Sequence, residues 1–239
     1  MNIAVYGSRG KMGSLMVDLL VGQGHQVSGV DPMDPATALS DIPVPDVLID
    51  FSHVSQLETL LSYALSHRVP MVIATTGYTE AQEAQIADAA KRIPIFKSAN
   101  YSYGIVVFRK LIAEAVRRLE ADFDIEIIEA HHNQKKDAPS GTAKLLVDTI
   151  QKAGSLEHPA SLGHPTDEAR HPRSIGLHAI RGGSIVGDHT VLFAGAQERI
   201  TLTHQAESRA VFAHGAIKAA HFIVKQHPGL YSMDDLIKE

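Results

Sequence analysis

Residues 3–13 read IAVYGSRGKMG and join a short apolar run to a turn that contains three glycines. The run Ile3–Tyr6 is typical of a buried strand in a parallel sheet, because it is apolar at every position. After the turn, apolar residues recur at helical spacing until Gly22 and Gly24 end the pattern. These apolar residues are Met12, Leu15, Met16, Leu19 and Leu20. The stretch therefore predicts a strand, a tight turn and a helix in direct succession.

The same alternation of strand and helix continues to about residue 100. Strand-like runs occupy 27–30, 46–51, 69–74 and a segment from Ile95, and helical patterns occupy about 54–67 and 80–92. Strands that alternate with helices build parallel sheets with helices packed on their faces. We therefore expect an α/β fold with a Rossmann-like, doubly wound parallel sheet over residues 1–103.

The pattern changes after about Asn100. Strand-like runs at 123–129, 175–181, 189–194 and 199–204 join helical patterns at about 105–119, 142–152 and 209–226, with a loop over 154–173. The last three strand-like runs have hairpin-sized connections, which favours antiparallel or mixed pairing. We expect a second, α+β domain with an open mixed sheet over 104–208. The segment 209–239 would form a C-terminal helix that returns to the first domain.

The composition of the 239 residues limits the classes of function. The formal net charge is −5, which argues against nonspecific nucleic-acid binding. The absence of cysteine excludes disulfides, thiol nucleophiles and cysteine-ligated metals. The sequence opens without a signal peptide, and no apolar run approaches the ~18 residues of a membrane helix. We expect a soluble, cytoplasmic protein without nucleic-acid or membrane partners, whose 14 histidines raise the question of histidine chemistry.

The glycine turn has the setting of an anion-binding loop. Gly7, Gly10 and Gly13 form a G-x-x-G-x-x-G pattern, which departs from the dinucleotide pattern G-x-G-x-x-G because Arg9 stands at the second glycine position. Glycines let the backbone approach a pyrophosphate, and the helix N-terminus attracts its charge. The alternative is a turn whose glycines serve packing alone. The strand–turn–helix setting favours a dinucleotide site.

An acidic residue follows the second predicted strand. Asp31 stands where a carboxylate can accept a hydrogen bond from a ribose 2′-hydroxyl, which favours NADH. Arg9 and Lys11 could instead meet a 2′-phosphate, so NADPH stays open. Asp31 could also be only a turn residue before Pro32.

Two further loops follow predicted strands, at Ala74–Gly77 and Ser98–Tyr101. Ligands of open α/β sheets bind along the carboxyl ends of the strands. Small hydroxyl residues there can reach a nicotinamide amide or a ribose. Each loop alone would be interpreted as a plain connection. The two loops support a cofactor site because they lie at the edge where the glycine turn predicts one.

The segment Glu129–Ala143 carries the densest chemistry in the chain. Ser140–Thr142 opens a helix and offers a hydroxyl and backbone N–H groups to an anion. Lys135 adds positive charge, and His131 and His132 add titratable proton donors. The set suits a small carboxylate substrate with a proton donor beside it.

A metal site is not expected in this segment. Neighbouring strand residues such as His131 and His132 point to opposite faces, and the H-E-x-x-H spacing is absent. Arg181 is a candidate for binding a substrate carboxylate or for an exposed salt bridge. Of the other histidines, we expect His158, His164 and His171 to be solvated or lid-like loop residues, and His214, His221 and His227 to be surface residues.

The segment EAHHNQKKDAPSGTA closely resembles the signature E-x-H-H-x-x-K-x-D-A-P-S-G-T-A of the 4-hydroxy-tetrahydrodipicolinate reductase family, also called dihydrodipicolinate reductase. Residues 7–13, 74–77, 98–104, 181–190 and 208–220 resemble that family's other motifs in the same order. The resemblance therefore spans nearly the whole chain. Its signature is far more specific than the glycine turn.

The resemblance implies an NAD(P)H-dependent oxidoreductase that uses NADH or NADPH to reduce the cyclic product of dihydrodipicolinate synthase to tetrahydrodipicolinate, in the diaminopimelate route to lysine. His131 would be the proton donor and acceptor, and Lys135 the second proton donor or electrostatic partner. The implied substrate contacts are His132, Ser140, Gly141 and Thr142. The implied cofactor contacts are Gly7, Ser8, Arg9, Gly10, Lys11, Met12, Asp31, Ala74, Thr75, Thr76, Ser98, Ala99, Asn100 and Tyr101. Domain 1–103 would bind the dinucleotide, and domain 104–208 would bind substrate and build a homotetramer.

Three features depart from the family's usual pattern. Ala74 replaces a glycine and is expected to crowd the nicotinamide edge slightly, and Val106 replaces an asparagine, which puts a polar contact there in doubt. The connection 32–45 is short, which predicts an abbreviated pocket on the adenine side. Two alternatives stay open: another NAD(P)-dependent reductase of a small dicarboxylate or semialdehyde, and a noncatalytic dinucleotide-sensing module that needs only Gly7–Gly13 and Asp31.

Overall fold

A computed structural model describes residues 1–34, 36–164 and 167–237. The chain divides into two compact units. Unit 1 is Met1–Tyr103 with Ala210–Glu239, and unit 2 is Gly104–Arg209.

The strands and helices are numbered in chain order. The strands are β1 (Asn2–Tyr6), β2 (Gln26–Val30), β3 (Val47–Asp50), β4 (Met71–Ile73), β5 (Pro94–Lys97), β6 (Asp124–His131), β7 (Ala160–Leu162), β8 (Ile175–Arg181), β9 (Gly187–Ala194), β10 (Arg199–Ala206) and β11 (Gly229–Tyr231). The α-helices are α1 (Lys11–Gly22), α2 (Leu57–His67), α3 (Glu80–Ala90), α4 (Tyr103–Leu119), α5 (Gly141–Ala153) and α6 (Ala210–Ile223). Short 3₁₀ turns cover Leu39–Asp41, Val54–Gln56 and Met233–Ile237.

Unit 1 is built on a parallel sheet of six strands in the order β11-β5-β4-β3-β1-β2. Its central strands are buried at every position, because helices cover both faces. Helices α2 and α3 pack on one face through Leu60 and Ile86, against Leu48 and Met71 of the sheet. Helices α1 and α6 contact each other, and they pack on the sheet as well. The predicted doubly wound, Rossmann-like sheet is confirmed.

Unit 2 contains the predicted mixed sheet, in the order β10-β9-β6-β8-β7. The central strand β6 pairs antiparallel with β9 and parallel with β8. From Ile125 onward, residues of β6 alternate between buried and half-buried. Its buried side packs with α4 and α5 through Ile125 and Ile127. Because Glu129 and His131 follow in the same alternation, both side chains point to this covered side.

Some element boundaries differ from the prediction. Strand β7 lies inside the predicted loop 154–173, and its three residues are all exposed, so they gave no apolar signal. Strand β11 was also not predicted, and the last helix ends at Ile223 rather than at Gln226. Val106 is 2% exposed in α4, where an apolar side chain suits the interior. Among the described residues, no helix is long and apolar enough to cross a membrane.

The capping box of α3 gives a test of local stability. The Thr79 hydroxyl accepts a hydrogen bond from the Gln82 N–H at 3.3 Å, and the Gln82 side chain accepts one from the Thr79 N–H at 3.0 Å. A Thr79→Ala variant is expected to lower the free energy of unfolding by ~1 kcal/mol, as measured by urea denaturation. Thr79→Ser keeps the hydroxyl and should stay near wild type. Equal losses in both variants would contradict a capping role.

Candidate active site and cofactor-binding edge

The glycine turn is shaped by backbone geometry. Gly7 has a φ of +85°, which favours glycine, and a Cβ atom on Gly13 would lie 2.0 Å from the Gly7 carbonyl oxygen. The packing role of Gly13 is therefore real. It also accompanies an open helix end, since Gly10 caps α1 without a side-chain hydrogen bond and the first turn has no acidic residue. Such an N-terminus suits a pyrophosphate.

Asp31 lies at the end of β2, directly beside this turn. The N–H groups of Gly7 and Ser8 donate to the Val30 carbonyl at 2.8 and 3.2 Å, which holds the turn over the strand end. One carboxylate oxygen of Asp31 accepts the Arg9 N–H at 3.0 Å, and the other accepts the Met33 N–H at 3.0 Å. Each oxygen keeps a second lone pair for a further donor such as a ribose hydroxyl.

The two remaining loops of unit 1 lie at the same edge, because they follow the neighbouring parallel strands β4 and β5. The buried Tyr101 hydroxyl donates to the Ile73 carbonyl at 2.7 Å and so ties the second loop to β4. Asn100 accepts the Ser102 N–H at 2.7 Å. Thr75 is buried, while Thr76 and Ala99 are exposed and Ala74 and Ser98 are half-buried.

Asp50 contacts the end of the loop Ala74–Gly77 through Tyr78. It is fully buried at the end of β3, and its carboxylate accepts hydrogen bonds from the Ser52 N–H at 2.8 Å and the Tyr78 hydroxyl at 3.2 Å. Burial raises the pKa of Asp50 above its ordinary value, although the Ser52 and Tyr78 hydrogen bonds work in the opposite direction. Asp50 was not singled out from the sequence, where it is one acid at the end of an apolar run.

The centre of unit 2 is a buried carboxylate that binds three partners. Glu129 is 0% exposed and accepts hydrogen bonds from both terminal nitrogens of Arg181, at 3.0 and 2.7 Å. It also accepts the Ser140 N–H at 3.1 Å and pairs with Nδ1 of His131. Arg181 therefore forms a salt bridge with a buried carboxylate. This salt bridge is not an exposed one, and the guanidinium already has a carboxylate partner within unit 2.

These contacts set the protonation of Glu129 and His131. Burial alone would raise the pKa of Glu129, but the hydrogen bonds from Arg181, His131 and Ser140 bring it below its ordinary value. Burial lowers the pKa of His131, and the Glu129 carboxylate offsets part of that effect. The positive charges of Lys135 and Arg181 lower the pKa of His131 further.

A second histidine, which the sequence did not mark, lies beside His131. In the register of the sheet His189 of β9 lies opposite Glu129, and its ring centroid is 5.2 Å from that of His131. Its Nε2 lies 3.2 Å from the Ser140 hydroxyl, which also accepts the Ala143 N–H and thereby caps α5. Burial lowers the pKa of His189 to about 4, so its ring is neutral near pH 7.

The predicted substrate residues surround the start of α5. Ser140 is buried, and its N–H and hydroxyl are both used inside unit 2. Gly141 is exposed and Thr142 is half-buried in the first turn, which has no acidic residue. Lys135 pairs with Asp137 at 2.8 Å, and His132 is half-buried. The arrangement offers a helix N-terminus to an anion beside a histidine that can exchange a proton.

The expectation of solvated loop histidines is wrong for His158, whereas His164 and His171 are exposed as expected. His158 is 4% exposed, and its Nε2 lies 3.1 Å from Glu120, so it is a buried structural residue. His164 pairs with Glu126 at 2.9 Å, and His178 pairs with the same carboxylate at 2.8 Å. The expectation of solvated side chains did not include these acidic partners. The local sequence does not show which carboxylate lies near a loop histidine in the folded chain. The exposed positions of His214, His221 and His227 agree with the prediction.

Family models match both parts of the chain. The model described as dihydrodipicolinate reductase, N-terminus, matches residues 1–101, and the one described as dihydrodipicolinate reductase, C-terminus, matches residues 104–237. The chain belongs to the dihydrodipicolinate reductase family. Members of this family are NAD(P)H-dependent oxidoreductases, so the expected cofactor class is confirmed.

Individual relatives extend over nearly the full chain. The 4-hydroxy-tetrahydrodipicolinate reductases of Caldanaerobacter subterraneus subsp. tengcongensis and Clostridium tetani are each 44% identical to it; the alignments cover 99% and 98% of this chain and 98% and 96% of the relatives. A dipicolinate-bound dihydrodipicolinate reductase from Paenisporosarcina sp. TG-14 superposes with a TM-score of 0.78 at 25% identity, over 99% of both chains. The resemblance in the sequence is thereby confirmed.

Proposed function

We propose that this enzyme reduces 4-hydroxy-tetrahydrodipicolinate to tetrahydrodipicolinate with NADH or NADPH, in the diaminopimelate route to lysine. The observation that carries the proposal is the Glu129–His131 pair beside the start of α5, inside the family signature. The reaction adds a hydride and a proton to the ring, and the hydroxylated substrate also loses water. The bound cofactor supplies the hydride.

His131 would supply the proton. Its Nδ1 is held by Glu129, so Nε2 is the ring nitrogen left for chemistry. A Cβ atom on Gly187 would lie 3.1 Å from that Nε2, so the glycine keeps space open at the reactive nitrogen. The carboxylate behind Nδ1 fixes the ring orientation and stabilises the imidazolium that donates the proton.

The substrate carboxylates would bind to positive groups of unit 2. The backbone N–H groups of Gly141 and Thr142 open α5, and the dipole of this 13-residue helix favours an anion there. Lys135 supplies a full charge that can stabilise a carboxylate and the negative charge that develops on the ring. His132 completes this set of proposed contacts.

Unit 1 would hold the cofactor along the carboxyl edge of its sheet. The glycine turn with Asp31 would bind the pyrophosphate and ribose, and the loops after β4 and β5 would bind the nicotinamide half. The N-terminus of α1, which has no side-chain cap, and the spare lone pairs of Asp31 support these roles.

A single assay separates this function from its rivals. The purified protein is mixed with dihydrodipicolinate synthase product and either NADH or NADPH, and the loss of reduced-nicotinamide absorbance is followed. Turnover supports the proposal. A noncatalytic sensor would bind the dinucleotide without turnover, and a different reductase would turn over only when offered an aspartate-derived semialdehyde or another dicarboxylate.

We also propose that the enzyme is a cytoplasmic homotetramer that assembles through the sheet of unit 2. The face of this sheet opposite α4 and α5 carries Ile128, Ile180 and Leu192, and Ile180 is 50% exposed. An open sheet with apolar residues on one face favours association. Light scattering after size exclusion should give four times the 25.8 kDa chain mass, and a monomer would contradict the assembly.

A further inference from the structure

The turn that follows β2 is built on two carboxylates. We call it the acidic turn and define it as Asp31–Asp34 with Ala36 and Thr37. Asp34 N–H donates to the Asp31 carbonyl at 3.0 Å, and Thr37 N–H donates to the Asp34 carbonyl at 3.2 Å. The Asp34 side chain accepts the Ala36 N–H at 3.0 Å. These bonds fix both carboxylates within unit 1.

The acidic turn lines a cavity of about 300 Å³ at the carboxyl end of β2. Val30 and Leu39 add apolar walls, and Thr37 adds a hydroxyl. Among the described residues that line the cavity, Asp31 and Asp34 are the charged ones, and both are negative. The cavity lies beside the glycine turn, where the ribose of the adenosine half would bind. The short connection 32–45 therefore does not remove the cavity at this position.

The positive residues near the acidic turn leave the net charge of the cavity lining negative. The Arg9 guanidinium pairs with the Asp34 carboxylate, which neutralises the residue that could have met a phosphate. The Asp34 side chain is only 11% exposed, so the Arg9 guanidinium pairs with a nearly buried carboxylate. Lys11 is exposed in the first turn of α1, and neither it nor Arg9 lines the cavity.

We propose that the acidic turn makes this enzyme selective for NADH over NADPH, with Asp34 as a second specificity-determining residue beside Asp31. A ribose 2′-hydroxyl can donate to Asp31, whereas a 2′-phosphate would bring close to two negative charges against the Asp31 carboxylate. Asp34 keeps the Arg9 guanidinium in an ion pair, so the positive charge of Arg9 does not offset that repulsion. The proposal rests on the dinucleotide site of the proposed function.

Equilibrium binding tests the selectivity apart from catalysis. Titrations of the full-length enzyme with NADH and with NADPH, followed by nicotinamide fluorescence or calorimetry at 0.15 M salt or below, should give an NADH dissociation constant at least ~10-fold lower. Asp34→Asn removes the carboxylate that pairs with Arg9 and so frees the positive charge of the guanidinium. It should strengthen NADPH binding by ~10-fold or more and change NADH binding by less than ~3-fold.

A control and a double variant identify the cause. Asp41→Asn makes the same charge change at an exposed position that does not line the cavity, and it should leave both affinities near wild type. Added to Asp34→Asn, Arg9→Ala should remove most of the gain in NADPH affinity. That loss would show that the gain comes from the Arg9 guanidinium that Asp34 holds in the wild type.

The outcomes separate this inference from the proposed function. If NADPH binds as tightly as NADH, or if Asp34→Asn leaves the ratio of the two dissociation constants unchanged, the selectivity proposal is wrong and the reductase function stands. If neither dinucleotide binds the folded wild-type protein, the proposed function itself fails.

Discussion

A His131→Gln variant is expected to lose about two to four orders of magnitude in kcat and to keep the wild-type dissociation constant for NADH. His131 would donate the proton that completes the reduction, and glutamine fills a similar volume without an exchangeable proton of suitable acidity. The ring belongs to unit 2, whereas the proposed cofactor contacts belong to unit 1. The loss should therefore appear in kcat, measured with saturating cofactor and substrate.

The pH dependence of the wild-type enzyme gives a second readout of the same residue. Burial lowers the pKa of His131 below 6.5, so the protonated donor is lost as pH rises through that lower value. The kcat/KM profile, which reports the free enzyme, should fall on its alkaline side with a midpoint below 6.5. The corresponding limb should be absent from the residual activity of His131→Gln.

An exposed histidine serves as the matched control for this variant. His227→Gln makes the same chemical change outside the buried cluster and should keep wild-type kcat and pH dependence. Thermal melting of both variants checks that the fold is intact. Full turnover by a folded His131→Gln enzyme would exclude His131 as the proton donor.

The sequence predicted those parts of the structure that depend on local periodicity. The apolar run Ile3–Tyr6 and the helical pattern up to Leu20 indicated β1 and α1. A strand that is buried on both faces is apolar at every position, whereas a helix that is buried on one face has apolar residues every three to four positions. The same rule indicated that Glu129 and His131 share one face of β6, since residues two apart in a strand point the same way. Strand β7 left no such trace, because none of its residues is buried.

The candidate site was only partly predictable, because its centre depends on strand register and on buried partners. His189 reaches His131 only through the antiparallel pairing of β9 with β6, and nothing in its local sequence reveals that register. Arg181 was left open between substrate and solvent, and its partner is the buried Glu129. Local patterns mark residues with suitable chemistry, whereas register and burial decide which of them meet.

An Arg181→Met variant is expected to lower the free energy of unfolding by about 3–5 kcal/mol near pH 7. Methionine keeps much of the apolar stem of Arg181 but removes two hydrogen bonds and the positive charge from a carboxylate that is 0% exposed. Leaving a buried charge without its partner is far more costly than losing an exposed ion pair. Urea denaturation at several pH values measures the loss.

The sign of the pH dependence follows from Glu129. In the wild type its pKa lies below the ordinary 4.5, so the group stabilises the fold above that pH and loses this contribution as pH falls through the lowered value. In Arg181→Met burial acts with less opposition, which raises the pKa of Glu129. The difference between variant and wild type should therefore be largest near neutral pH and should shrink as the buried carboxylate becomes protonated in acid.

Two further variants separate the buried charge from general damage. Arg117→Met removes an exposed arginine of α4 that pairs with Glu114 at 3.1 Å, and it should cost less than ~1 kcal/mol. The double variant Glu129→Gln with Arg181→Met removes both buried charges and should recover part of the loss, because no unpaired charge remains. If the double variant were instead less stable than Arg181→Met by the full cost of a second independent substitution, the unpaired carboxylate would not be the cause. Recovery would show that the unpaired Glu129 carboxylate causes the loss, and therefore that Arg181 stabilises the fold by pairing with this buried charge.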